Sequence, residues 1–411
     1  MTSPPRTVGY LFWALCVVGF FAILSSTMSK SPVLNPFARA LGTPDSLMGI
    51  VAAASTIPGI LVSLPAGSLS DMFGRRKVLF VSATVFASAP FLYLLVASWW
   101  QLALVRFYHG FATAMFVPVG NAFVVELFPN KKAERISLFS SATIVGRAIA
   151  PFLGGYILLI TNYGFHQLYI AVGIAGVTAF ITALLLLKER PHPTEANAQT
   201  IEERSLRLLE GWLAVARNRG TLVVSLVEAG QYYAYGATEF FLVGYLKEIA
   251  HFDSFSIGII SGSQLAIVPL LKPLMGKLSD KAGRTVPIVV GSLISAFALG
   301  FIPFTTSFPL LLLISIVYGL GFSMVTSSTP ALVSELTDKA LVGTGMGFLS
   351  TIMDVGQTLG PIMTGLVLAT ALAYQGSFVS LTAILLITCA VFVAARVGGV
   401  SRHAAAGSTQ H

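Results

Sequence analysis

Long apolar runs separated by short polar turns fill the chain from Val8 to Ala395. A helix that crosses about 30 Å of hydrocarbon needs roughly 20 apolar residues, because an unpaired backbone amide is costly in lipid. Twelve runs meet that length. In the first half they are Val8 to Ser29, Leu47 to Ser70, Val78 to Ala97, Gln101 to Val125, Ile136 to Ile160 and Tyr169 to Leu187. In the second half they are Thr221 to Leu246, Ile257 to Leu278, Val286 to Phe304, Pro309 to Val333, Leu341 to Thr370 and Phe378 to Ala395. The pattern predicts an all-α polytopic membrane protein of 12 helices.

One polar stretch interrupts this rhythm. Residues 188–220 mix six basic with five acidic side chains and contain Pro191 and Pro193, which predicts a linker between residues 1–187 and 221–411. Its later part, IEERSLRLLEGWLAVARNR, has apolar residues near helical spacing and could lie along a membrane surface as an amphipathic helix. The simpler reading is a tether with a helical stretch. The leading segment MTSPPRTVGYLFW runs into the first apolar run without a small-residue cleavage site, so it reads as an uncleaved first helix.

Charge fixes an orientation. Of 25 Lys and Arg residues, Lys30, Arg39 and Lys247 alone fall in loops on one side, while Arg106, Arg147 and Lys272 lie within spans. The rest flank the other side. Basic loops stay in the cytoplasm, so both termini are expected there, in an inner-membrane, multi-pass protein. Composition agrees: 55% of residues are hydrophobic and 10% charged, against about 25% charged in a typical soluble domain. The net charge of +8 is spread between apolar runs rather than gathered on one face, which argues against a nucleic-acid partner. Cys16 and Cys389 each sit inside an apolar run and read as small packing residues, with neither disulfide nor metal-ligand spacing.

The two halves repeat each other. GSLSDMFGRRK from Gly67 returns as GKLSDKAGRTV from Gly276, an offset of 209 that carries Asp71 onto Asp280 and Arg75 onto Arg284. Glu126 returns as Glu335 at the same offset, and Pro151 and Gly155 return as Pro361 and Gly365 at 210. Two parallel repeats related by an axis along the membrane normal form two six-helix bundles with a cleft between them. Rocking one bundle against the other exposes the cleft to each side in turn.

With those motifs in view, the chain resembles the major facilitator superfamily, whose signature loop follows the GxLaDrxGrr pattern seen from Gly67. The resemblance covers almost the whole chain. It implies a cytoplasmic charge network that locks the outward-facing state, made by Asp71, Arg75 and Glu126 and by the second copy Asp280, Arg284 and Glu335. Our reading of spacing is consistent with this, since each Glu follows its Asp by 55 positions at an equivalent helix end. In the fifth span, Gly146, Pro151, Gly154 and Gly155 of GRAIAPFLGG look like the antiporter motif of the family's drug:proton exporters. Ala150 replaces the usual second glycine and Arg147 adds an uncommon charge. Small residues at this spacing also serve plain helix packing.

Charges inside the spans are the remaining candidates. Arg106, in LVRFYHG, resembles an intramembrane Arg of the same family implicated in proton transfer or substrate binding. A buried Arg needs a partner or a hydrated cleft in any case. His109 beside it is more readily a packing residue. Glu228, Tyr232, Tyr235 and Glu239 share one helical face of the seventh span, and Asp354 lies near the middle of the eleventh. Such carboxylates can bind a solute, couple proton flow, or simply pair with Arg106, Arg147 or Lys272.

Together these point to a secondary transporter working by alternating access, with proton-coupled antiport that exports a small organic or drug-like solute as the leading expectation. The alternatives are an uptake symporter or facilitator for a small anionic solute, and a membrane sensor on the same fold. No cofactor or metal is called for, an enzyme is not expected, and the partners are a small-molecule substrate, protons and the lipid bilayer, with the chain monomeric.

Overall fold

The computed structural model of the chain describes residues 6–62, 74–128, 132–187, 211–338 and 341–407. Regular structure among these residues is helical. The first half holds α1 (Arg6–Met28), α2 (Leu34–Ala40), α3 (Asp45–Ala53), α4 (residues 57–62), α5 (Arg75–Tyr93), α6 (Trp99–Leu127), α7 (Lys132–Ile160) and α8 (Phe165–Leu187). The second holds α9 (residues 211–217), α10 (Arg219–Glu248), α11 (Ser254–Ala282), α12 (Thr285–Phe301), α13 (Phe308–Leu336), α14 (Val342–Leu368) and α15 (Ala373–Gly407). With α3 and α4 forming one broken crossing, the described residues make twelve helical passes, as the apolar runs predict. Nine candidate spans among the described residues are long and apolar enough to cross a membrane on that ground alone. The other passes, α5, α10 and α14, carry basic or polar side chains such as Arg75, Glu228 and Asp354.

Neighbour relations show the twofold design. In the first half α1 packs on α7 and α8, and α5 on α6 and α8; in the second, α10 packs on α14 and α15, and α12 on α13 and α15. The halves meet along two seams, α3 against α14 and α7 against α11, which exchange under the same pseudo-twofold operation. Sequence chemistry fixes local detail. Gly74 and Gly283, which end the signature loops, both have positive φ, +90° and +80°, a conformation that favours glycine. Asp253 caps α11 by accepting hydrogen bonds from the N–H groups of Phe255 and Ser256.

One expectation needs correction. The second apolar run predicts a continuous helix, but the backbone turns over residues 54–56 between α3 and α4. Pro58 explains it, because its missing N–H leaves the carbonyl a turn earlier without a helical donor. For the linker, residues 211–217 are helical, and residues 188–210 lie outside the described residues.

Candidate functional site

The end of the bundle where α6 finishes and α7 begins carries the basic loops and is called the basic end below. The opposite end, where α1 finishes, is the far end. Between the bundles lies a cavity of about 640 Å³. It runs from the level of Lys30 and Glu239 toward Lys272 and Gly347 at the basic end. One wall is aromatic: Tyr235 stacks on Phe322 with centroids 4.9 Å apart, and Tyr232 meets the same ring edge-on at 5.1 Å. Such a wall offers flat apolar area together with phenol hydroxyls.

Charge on the cavity wall comes from Lys30, Arg147, Lys272, Glu239 and Asp354. Tyr232, Tyr235 and Glu239 therefore share the cavity, as their common helical face predicts. Glu228, one turn before Tyr232 on α10, does not line it. It is buried against α13, where the Thr329 hydroxyl donates to its carboxylate, and it lies in the field of Lys272. Asp354 reaches across the interface to α4: a β-carbon on Gly59 would lie 3.2 Å from its Oδ2, so the missing side chain there makes room for the carboxylate. One turn along, the hydroxyls of Thr56 and Thr358 meet at 2.8 Å, again between the halves.

Arg106 is 2% exposed and lies behind this surface. Its Nη2 donates to Ser55 Oγ at 2.5 Å and to the Ala52 carbonyl at 3.4 Å, so its charge holds the broken stretch between α3 and α4. Gly110, one turn later, lets the bend approach, since a β-carbon there would fall 2.3 Å from the Ser55 carbonyl oxygen. His109 is buried beside Phe86 and Tyr93, with Nδ1 3.4 Å from the Tyr93 hydroxyl, in the first bundle rather than the cavity.

At the basic end, Arg75 pairs with Glu126 at 3.2 Å and donates to the Ala122 carbonyl. The second copy pairs Arg284 with Glu335 at 2.9 Å and with Asp280 at 2.5 Å. Asp71 lies outside the described residues. These pairs join helices of the same half, α5 to α6 and the α11–α12 turn to α13. The hydrogen bonds from Arg284 to Glu335 and Asp280 raise its proton affinity above the ordinary Arg value.

The fifth-span motif splits between two neighbours. A β-carbon on Gly146 would meet the Phe20 carbonyl of α1 at 2.5 Å, and one on Gly154 would meet Pro32 at 3.1 Å. Gly155 and the Pro151 carbonyl instead face α11, where a β-carbon on Gly258 would lie 2.5 Å from Pro151 O. The other seam repeats this. Gly49 of α3 faces Pro361 and Gly365 of α14, and Gly258 follows Gly49 at the repeat offset of 209. Both copies therefore put their Pro and Gly at a seam between halves, near the far end.

Sequence reading missed the far-end contacts. Arg39 of α2 pairs with Asp45 and, at 2.9 Å, with Glu248 of α10, whose other oxygen accepts from Tyr374 at 3.0 Å. Burial opposes the Arg39 charge, but Asp45 and Glu248 outweigh it and raise the proton affinity of the guanidinium. Lys247 lies 3.8 Å from the centre of the Tyr163 ring. Adjacent residues of α10 thus grip two elements of the first half. Lys30 stands in the far-end turn after α1, as its loop reading expects, but it also lines the cavity, in the field of Glu239, Arg106 and Arg147. Arg39 and Glu248 are 209 positions apart, and so are Lys30 and Glu239. Each pair therefore joins equivalent positions of the two halves, and that spacing was the signal available in the sequence.

A model of the Major Facilitator Superfamily matches residues 15–243 and again residues 224–410. Quinolone resistance protein NorA of Staphylococcus aureus is 22% identical over 336 residues, covering 81% of this chain and 84% of its own length. Multidrug resistance protein MdtG of Dickeya zeae is 24% identical over 366 residues, 86% of each chain. Among solved structures, a bacterial homologue of the human lysosomal transporter Spinster superposes with a TM-score of 0.80 at 17% identity, over 96% of this chain and 98% of its own.

Proposed function

This chain belongs to the Major Facilitator Superfamily and is a membrane transporter rather than an enzyme, and on that premise we propose that it is a proton-coupled antiporter exporting a small organic solute. The observation that carries the reading is the cavity between the bundles, where Glu239 and Asp354 share one wall system with the Tyr232, Tyr235 and Phe322 rings. A carboxylate in such a place can hold either a proton or a polar group of the solute. Competition between the two is what exchange requires. The names of the similar proteins NorA and MdtG, which speak of quinolone and multidrug resistance, support export of a drug-like compound. Alternating access supplies the cycle: the far-end clasp and both glycine seams hold that end shut, while the cavity extends toward the basic end, the cytoplasmic side in our reading. The pairs Arg75–Glu126 and Arg284–Glu335, made within each half, hold in place the loops that, with Asp71 and Asp280, act as the conformational lock of the opposite state. The functional units are the two bundles, residues 1–187 and 221–411, joined by the linker.

A second reading, co-transport of a proton with an anionic solute, is favoured by one specific observation: among the described residues three cations line the cavity against two acids. Protonating either acid leaves the cavity more positive, so proton and anion binding reinforce one another.

The test is transport in proteoliposomes. An imposed pH gradient should drive solute against its concentration gradient, opposite in direction to the protons, and Asp354→Asn should abolish the drive while the variant melts like the parent. Transport indifferent to the gradient refutes proton coupling, and accumulation in the same direction as the protons selects the second reading.

A further inference from the structure

Arg147 is the residue that the antiporter-like motif does not explain. It occupies a helix-packing run, yet its side chain lines the cavity, with Lys30 and Lys272 on the same surface. Arg147 links the cluster, lying in the field of both Lys30 and Lys272. Among the described residues none of the three has a carboxylate within ion-pair distance, and none makes a side-chain hydrogen bond to one. Three acids lie nearby, and one of them, Asp354, shares the cavity wall and the field of Tyr232 with Arg147. Glu239 is the charge that Lys30 feels, and Glu228, the one that Lys272 feels, accepts a hydrogen bond from Thr329.

Charges of like sign gathered in a low-dielectric cleft repel each other and lose hydration. Such a cluster is best satisfied by a negative group from outside. Lysines alone would suit a point charge, but the Arg147 fork presents parallel N–H donors to a planar carboxylate. Tyr232, Tyr235 and Phe322 adjoin the cluster: Tyr232 and Tyr235 each lie in the field of Arg147. An aromatic body on these rings would bring a directly attached carboxylate toward the cations.

We propose that Arg147, flanked by Lys30 and Lys272, binds the carboxylate of an aromatic organic acid whose ring rests on Tyr232, Tyr235 and Phe322. The proposal rests on the reading that this cavity holds the transported solute, and it names that solute's chemical class. It is independent of coupling, since it concerns what Arg147 touches rather than which way protons run. Arg147 is then the specificity determinant, and the rings supply affinity that tolerates many aromatic shapes.

The experiment uses three probes with one ring system and three charges: 2-naphthoate, the neutral 2-naphthamide and the cationic 2-naphthylmethylammonium. Binding to the purified full-length chain in detergent is measured by calorimetry at fixed pH and ionic strength. Naphthoate should bind tightest. Arg147→Gln should weaken naphthoate on the order of tenfold or more, as expected for loss of a hydrogen-bonded charge, and should weaken naphthamide by a much smaller factor. Arg147→Lys should keep the preference for the anion while weakening it, and Lys30→Gln should weaken naphthoate by a smaller factor. Should Arg147→Gln fold poorly, the Lys30→Gln and Lys272→Gln pair carries the same comparison. The proposal is overturned if naphthylmethylammonium binds as well as naphthoate, if none of the three binds, or if naphthoate affinity survives Arg147→Gln. Because binding in detergent involves no gradient, its failure is distinct from failure of the transport reading, which shows only in proteoliposomes.

Discussion

The seam between α3 and α14 offers a quantitative test of the gate. Replacing Gly49 by Ala places a β-carbon 2.1 Å from the Pro361 carbonyl oxygen, 2.7 Å from its carbonyl carbon and 2.8 Å from Ile362 Cα. All three atoms are helix backbone, so no rotamer change relieves the contact. Restoring ordinary separation requires the two helices to part by about 1 Å, and overpacking of this kind costs roughly 1–3 kcal/mol. The strain exists only while the far end is shut, because the seam joins different halves. The ratio of shut to open far end should therefore fall about 5- to 150-fold. Ser31→Cys is the reporter: Ser31 is 1% exposed in the closed arrangement, and the native Cys16 and Cys389 are buried. In membrane vesicles, a membrane-impermeant maleimide added on the far side should label it correspondingly faster in the Gly49→Ala background. Gly343→Ala is the control, since a β-carbon on Gly343 meets nothing within 4 Å. Unchanged labelling in Gly49→Ala, with a lowered melting temperature, would show that the seam packs the fold without gating it.

Two further predictions concern charges outside the spans. Exchanging the clasp, Arg39→Glu with Glu248→Arg, should return Ser31→Cys labelling toward the parent rate, whereas each single change should raise it by the few-fold that about 0.2–1 kcal/mol per partly exposed pair allows; additive singles would refute the pairing. Asp253→Ala should lower stability by about 0.5–2 kcal/mol at neutral pH through loss of the α11 cap. Burial opposes the Asp253 charge, but hydrogen bonds from the Ser256 hydroxyl and the Ser256 and Phe255 amides outweigh it and lower its pKa. Its contribution is therefore present above the unfolded pKa and disappears as pH falls through the folded one. The melting gap between parent and variant should accordingly narrow in acid, and a constant gap would count against the ionised cap.

Much of the fold was open to sequence reading because lipid leaves few choices. Each crossing must satisfy its own backbone, so a run such as Val286 to Phe304 can only be a helix. The duplicated GxLSDxxGR loops then set the pairing of halves. The break at residues 54–56 was less visible, although Pro58 marks where the ladder loses a donor. Site chemistry was legible where one helix carries it, as for Tyr232, Tyr235 and Glu239, since helical periodicity orders residues on a face. It was not legible where two distant segments meet. Glu228 shares the stripe of Glu239, yet Thr329, 101 positions away, takes it out of the cavity. The position of Lys30 depends on how the turn after α1 folds back, which hydropathy does not encode.

The repeat explains why such encounters occur where they do. Residues near a twofold axis meet their own equivalents, so position 39 meets 248 and, across the cavity, position 30 lies in the field of 239. In a symmetric pair of identical halves these would be like charges facing each other, an arrangement that costs free energy. Covalent duplication removes the constraint, because each copy is free to change alone, and here both positions carry a base in one half and an acid in the other. Packing positions show the opposite behaviour: Gly49 and Gly258, and Pro151 and Pro361, are kept in both halves because both seams require the same close approach. The remaining cavity charges are likewise unmatched, with Ile144 standing 210 positions before Asp354 and Gln357 the same distance after Arg147. Symmetry thus builds the rocking frame, and the positions at which it is broken supply the polarity that lets the cavity discriminate between solutes.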